Sequence, residues 1–160
     1  MTFADLIEIL EYNRTRTLGL LDSIAKDPDA AKILGFRPGP GRAHIGWQLM
    51  HIAATEDRHV HIRMTAGQAA DAELVRRFAG GSVPDDDIPT VDQIRTYLST
   101  QRQAMVEHLR QVDPAMLDKK PDEAQPWIYR EWLKLLAWHE AHHQGQAHIT
   151  FNLYKQSAGK

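Results

Sequence analysis

The chain has 160 residues, a formal net charge of −2 at pH 7 and no cysteine. Such a length predicts one domain that buries its core without covalent staples. Mixed charges leave no basic footprint for nucleic acid, and the missing cysteines exclude disulfides, thiolate ligands and a cysteine nucleophile. No stretch approaches the ~20 apolar residues of a membrane span, and the N-terminus lacks a signal-peptide pattern. We therefore expect a cytoplasmic protein without membrane or nucleic-acid partners, in which any metal is held by histidine and carboxylate.

The first predicted helix follows a capping-box pattern at Thr2 and carries apolar residues at helical spacing until it ends near residues 27–28. In its middle, the same inward stripe carries Asn13, Arg14 and Thr17. Polar groups on a buried face need partners. These three side chains therefore either satisfy one another or line a wet pocket inside the fold.

Turn-forming residues predict a loop over residues 28–42, and helical periodicity predicts a second helix over residues 43–65. His51 lies on the inward face of that helix, as a metal ligand or as a hydrogen-bonded core histidine. His59 and His61 lie among charged residues near its end, where a solvated face is favoured.

A long connection over residues 67–90 contains a short predicted helix and a run of three aspartates, which we interpret as a solvated turn. The third helix follows over residues 91–112, and its apolar stripe is interrupted by Gln101. After a polar linker, a fourth helix starts beyond Pro126 and runs almost to the C-terminus. Four long amphipathic helices without alternating strand patterns predict an all-α four-helix bundle.

The fourth helix carries three histidines within five residues, at His139, His142 and His143. His139 and His143 continue the apolar stripe of this helix, and side chains four residues apart can close on one metal ion. His142 lies about 100° away from His143 and could replace one of the pair. Two core histidines with separate hydrogen-bond partners are the simplest alternative.

A second alternative interprets His139 to His143 as the H-E-x-x-H helix of a zinc protease, with Glu140 as the general base. The metzincin form of that motif has a glycine three residues, and a histidine six residues, after the second motif histidine. Here Gly145 and His148 follow at two and five residues. A third alternative is a metal site completed by a histidine from another helix.

The helix-two segment from Trp47 through His51 to Ala53, together with the His139/His143 pair and the Gly145-Gln146 that follows it, resembles the DinB/YfiT-like family of metal-binding four-helix bundles. The resemblance covers nearly the whole chain, as one domain over residues 1–160. It implies His51, His139 and His143 as the ligands of one divalent ion. It also implies a homodimer, for which we expect apolar contacts from Trp127, Ile128 and Phe151.

Members of that family with known activity are metal-dependent transferases or isomerases that use a low-molecular-weight thiol. The resemblance therefore implies an S-transferase-like enzyme with a small-molecule substrate, in which Arg14 or Arg58 holds an anionic part of the thiol. The alternatives are a hydrolase that uses metal-activated water and a non-catalytic bundle stabilised by metal, which acts as a binding or assembly module. Zinc is the default ion, and the same ligands accept nickel, copper or iron. We expect Gly145 to mark a close backbone approach and Gln146 to hydrogen-bond a ligand or a neighbouring helix.

Overall fold

The computed structural model describes residues 1–159. Within these residues the chain forms six α-helices and no strand, which confirms the predicted all-α class. The helices are α1 (Phe3–Ala25), α2 (Ala30–Gly35), α3 (Ile45–Asp57), α4 (Ala72–Arg77), α5 (Val91–Gln111) and α6 (Tyr129–Ser157). A π-helical segment (Arg58–Met64) follows α3 directly, and a short 3₁₀ turn (Pro114–Met116) follows α5.

The four long helices α1, α3, α5 and α6 pack as a bundle. Around the bundle, α1 contacts α6, α6 contacts α3, α3 contacts α5, and α5 contacts α1. The predicted capping box forms at Thr2, and a second capping box forms at Thr90 at the start of α5. Among the described helices, none is both long and apolar enough to cross a lipid bilayer.

A layer of buried charge divides the apolar core into two clusters. One cluster contains Leu21 and Leu98, and the other contains Leu10 and Met105, so both α1 and α5 pass through the dividing layer. The layer consists of one charged residue from each long helix. These residues are Arg14, Glu56, Arg102 and Glu140, each at most 3% exposed.

The four charges form a closed ring of ion pairs, which we call the buried quartet. Arg14 bonds to Glu56 over 2.8 Å and to Glu140 over 2.7 Å. Arg102 bonds to Glu140 over 2.5 Å and also contacts Glu56. Thr17 donates a hydrogen bond of 2.8 Å to Glu140. Each buried charge contacts two opposite charges, and the quartet is neutral overall.

The three polar side chains that interrupt the apolar stripe of α1 are hydrogen-bonded to groups on other helices instead of to one another's side chains. Arg14 and Thr17 bind Glu140, while Asn13 donates to the backbone oxygen of Ala137 on α6. Arg14 is therefore not available to hold an anionic thiol, and Arg58 is exposed.

The structure corrects two expectations from the sequence, one about the predicted loop over residues 28–42 and one about the end of the second predicted helix. Residues 28–42 contain α2, because burial of Ile33 and Leu34 stabilises a helical turn that the neighbouring glycines and prolines obscure. Asp57 is fully buried where a solvated helix end was expected. Its carboxylate accepts hydrogen bonds from the backbone N–H groups of Ala70 and Asp71 and from the hydroxyl of Tyr97.

The hydrogen bonds of Asp57 hold the start of the 67–90 connection against the bundle. In addition, α4 packs against α3. The three aspartates of the connection form exposed ion pairs with arginines, as expected of a solvated turn. Phe151 is part of the chain's own core, so it is not available for a dimer interface, whereas Trp127 is 40% exposed.

Candidate metal centre

The three histidines that the family resemblance implies as ligands lie together where α3 faces α6. His51, His139 and His143 each offer one ring nitrogen, and these three atoms lie within 4.8 Å of one another. His51 is buried and the other two are half-buried. The inward stripes of two different helices thus meet at one point of the bundle.

For two of the three histidines, a hydrogen bond determines which ring nitrogen faces the metal centre. The Nδ1 atom of His51 lies 2.6 Å from the backbone oxygen of Phe78, and Nδ1 of His143 lies 2.6 Å from Oε1 of Gln48. Both oxygens can only accept, so each Nδ1 carries the proton and donates. The Nε2 atom of each ring is left with a free lone pair, as metal ligation requires.

The ring nitrogens of His51 and His139 approach each other as ligands of one ion do. Their Nε2 atoms lie 3.0 Å apart. Two nitrogens about 2.1 Å from a shared ion are separated by roughly 3.0–3.4 Å for bond angles of about 90–109°. The donor set of three imidazoles therefore fits a divalent transition-metal ion and leaves further coordination positions open.

The surroundings keep these imidazoles neutral. Burial, together with repulsion from the neighbouring histidines, lowers the pKa of His139 to about 3 and that of His143 to about 4. Burial also lowers the pKa of His51. A neutral imidazole is the form that binds a metal ion, so the cluster needs no proton release near pH 7.

Neighbouring groups fix the orientation of the His51 ring. The indole of Trp47 stacks on it with a centroid distance of 4.7 Å and an interplanar angle of 12°. The chain after α4 also approaches this ring, since a Cβ added at Gly80 would lie 3.8 Å from Cε1 of His51. Ser82 accepts a 3.3 Å hydrogen bond from the Trp47 indole. The long connection therefore packs against the site.

His142 does not join the cluster. Its side chain is exposed, stacks on Trp138 and lies 2.9 Å from the amide of Gln146. This hydrogen bond of Gln146 lies within its own helix, and Gln146 also lines the cavity beside the cluster. The expected close approach at Gly145 is wrong, because a Cβ added there would meet no atom within 4 Å.

The geometry also excludes Glu140 from the role of general base in a zinc protease. Its side chain is fully buried, and it accepts hydrogen bonds from Arg14, Thr17 and Arg102. Burial alone would raise the pKa of this carboxyl, but the two arginines hold it below its usual value. A carboxylate engaged in the buried quartet cannot take a proton from a water beside the histidines.

A cavity of about 500 Å³ opens beside the cluster. Trp47 and Gln48, which contact the rings of His51 and His143, form part of its wall. Arg42 is the charged residue among those that line it in the described chain. A cavity of this size accommodates a small organic molecule.

Sequence reasoning missed three contributors to the site. Gln48 carried a signal, because it precedes His51 by one helical turn and so lies on the same face. The carbonyl of Phe78 carried none, since any residue type supplies a backbone oxygen. Thr55, whose hydroxyl lies 3.5 Å from Nε2 of His139, carried the same signal as Gln48, because it follows His51 by one helical turn.

Fold and site together define a four-helix bundle with a tri-histidine cluster able to hold a divalent metal ion. The chain matches the DinB superfamily over residues 9–147, and it belongs to that family. A search of curated proteins found no match.

Proposed function

We propose that this protein is a metal-dependent S-transferase that joins a low-molecular-weight thiol to an electrophilic small molecule. The observation that carries the proposal is the tri-histidine cluster, which combines free ring nitrogens with an adjacent cavity. A bound divalent ion lowers the pKa of a coordinating thiol and so supplies a thiolate at neutral pH, which a chain without cysteine cannot supply itself. Zinc is the proposed ion, because imidazole suits it and it is redox-inert.

The residues around the cluster have separate roles in this proposal. Phe78 and Gln48 orient the imidazoles, and Trp47 restricts the His51 ring. Arg42, at the wall of the cavity, takes the role first expected of Arg14 or Arg58 and binds a carboxylate of the thiol. Pre-oriented groups reduce the reorganisation needed in the reaction.

The test offers the zinc-loaded protein 1-chloro-2,4-dinitrobenzene with and without cysteine, glutathione, bacillithiol or mycothiol. In the expected reaction a C–S bond forms, chloride leaves and the thiol proton passes to solvent. Thiol-dependent turnover that is lost in His139→Ala and kept in His142→Ala supports the transferase. Turnover without any thiol would indicate the hydrolase alternative. Inactivity across a broad panel of electrophiles would indicate the non-catalytic binding or assembly module.

The homodimer implied by the resemblance would form through α6. Trp138, Ile149 and Leu153 are 60%, 65% and 41% exposed. The three fall within about 60° of one another around the helix. Gly145, with its open surroundings, lies on the same side, within about 80° of each of them. Ile149→Glu is expected to convert a dimer to a monomer in analytical ultracentrifugation, while Ile62→Glu leaves it intact. A monomeric wild-type protein would contradict this interface.

A further inference from the structure

A second cavity, of about 540 Å³, lies between α3, α4 and α5. Its wall includes the apolar side chains of Met50, Leu74 and Phe78, and most of its lining surface is apolar. It shares no lining residue with the cavity beside the histidines. Its size falls within the range of small-molecule sites, roughly 300–1,000 Å³.

One buried polar atom at this cavity has no partner. Gln101 is 3% exposed and lines the cavity, and its Oε1 atom makes no hydrogen bond within the described chain. Buried polar side-chain atoms are nearly always hydrogen-bonded, because desolvation without a partner is costly. The carbonyl of Gln101 is therefore a hydrogen-bond acceptor without a partner, in a residue that forms part of the cavity wall.

The charges around the cavity restrict what that occupant can be. Asp71 and Asp92 lie at its wall. The guanidinium of Arg77, also at the wall, is paired with Asp85 and Asp87. The hydroxyl of Tyr97 already donates to Asp57. The lining thus presents acceptors and apolar surface but no uncommitted cation, which disfavours an anionic ligand.

We infer that this cavity is a second ligand site, which binds a small, neutral and largely apolar molecule whose hydroxyl or amide N–H group donates a hydrogen bond to Gln101. Met50, Leu74 and Phe78 would contact the apolar part of the ligand. This cavity is distinct from the one beside the histidines, so its occupant need not be the thiol or the electrophile. Phe78 links the two sites, because it lines this cavity and its backbone oxygen accepts the hydrogen bond from His51.

The test uses 3-phenyl-1-propanol, its methyl ether and 3-phenylpropanoate as probes. Binding is followed by chemical-shift changes of the Met50 methyl group and the Gln101 side-chain amide. The alcohol is expected to bind about fivefold to tenfold more tightly than the ether, which lacks the donor, because one hydrogen bond contributes about that factor. The carboxylate is expected to bind more weakly than either.

Two variants with a matched control separate the hydrogen bond from simple partition into an apolar space. Gln101→Leu is expected to bind alcohol and ether equally. Thr96→Phe, which places bulk at the cavity wall, is expected to weaken both probes, while Ser99→Phe, at an exposed position of α5 outside the lining, leaves them unchanged.

The same titrations are run on His143→Ala, whose binding of the alcohol should equal that of the wild type because His143 does not line the second cavity. Equal affinity of alcohol and ether in the wild type would overturn the inference. So would shift changes that centre on Trp47 instead of Met50, or an alcohol preference that survives in Gln101→Leu.

Discussion

The buried quartet predicts a large loss of stability for Glu140→Gln. This change keeps the size of the side chain but leaves Arg14 and Arg102 with one carboxylate between them, at Glu56. Removing one partner of a buried ion pair costs about 3–5 kcal/mol, and the Glu140 side chain is 0% exposed, so water cannot compensate. For a chain of this length, 1 kcal/mol lowers Tm by roughly 2–4 °C. The expected decrease in Tm is therefore roughly 6–20 °C.

The assay is thermal unfolding of the metal-free protein followed by circular dichroism, so that metal loss does not contribute. Glu11→Gln, at an exposed position of α1, is the matched control and should leave Tm unchanged. The double variant Arg14→Gln/Glu140→Gln restores charge balance in the core. It should lose less stability than the two single variants added together.

An unchanged Tm in Glu140→Gln would refute the quartet as a source of stability. Additive losses in the double variant would refute the coupling between Arg14 and Glu140. If Glu140→Gln instead kept its stability and abolished peptide cleavage by the metal-loaded protein, Glu140 would be the base of a protease.

Three further predictions concern the histidines. Gln48→Leu frees the His143 ring and should weaken zinc binding by about 10–100-fold in a competition titration with a chelating dye, whereas unchanged affinity would show that Gln48 does not orient the ring. Chelation should lower Tm, since an ion at 100 times its Kd contributes about 2.7 kcal/mol, and an equal Tm with and without chelator would count against the site. Burial lowers the pKa of His44 and His59 below their ordinary 6.5. The unfolded chain then binds more protons below about pH 6.5, so urea unfolding of metal-free protein should show lower stability at pH 5 than at pH 7.5. His59→Gln should reduce that difference, and His148→Gln, at an exposed position, should not.

The clustered histidines could be predicted because helical periodicity alone decides which face a residue occupies. His51, His139 and His143 all continue apolar stripes, and the structure brings them together. The family resemblance identified the partner helix, which periodicity could not do. The extents of α1 and α5 followed from the same stripes and from their capping residues. The predicted second helix is α-helical only to Asp57 and then continues as the π-helical segment, a change that the stripe did not indicate.

The buried quartet could not be predicted in full, because charged residues are exposed by default. Arg14 was recognised as a polar interruption, but its partners Glu56 and Glu140 lie 42 and 126 residues away in sequence. Arg102 directly follows Gln101 on α5. Its burial could not be recognised from the sequence, because no repeated spacing of polar residues on this helix marks it. Pairing across distant segments depends on tertiary packing, which a local spacing rule does not contain.

The most direct test of the tri-histidine site is the metal content of untagged protein after loading with zinc and removal of free ion. The wild type should hold about one ion per chain, because three histidines complete one site. His51→Ala, His139→Ala and His143→Ala should each lose it while keeping a helical circular dichroism spectrum, and His142→Ala should keep it. Retention of the ion by the three single variants, or loss of it in His142→Ala alone, would contradict the assignment of this centre.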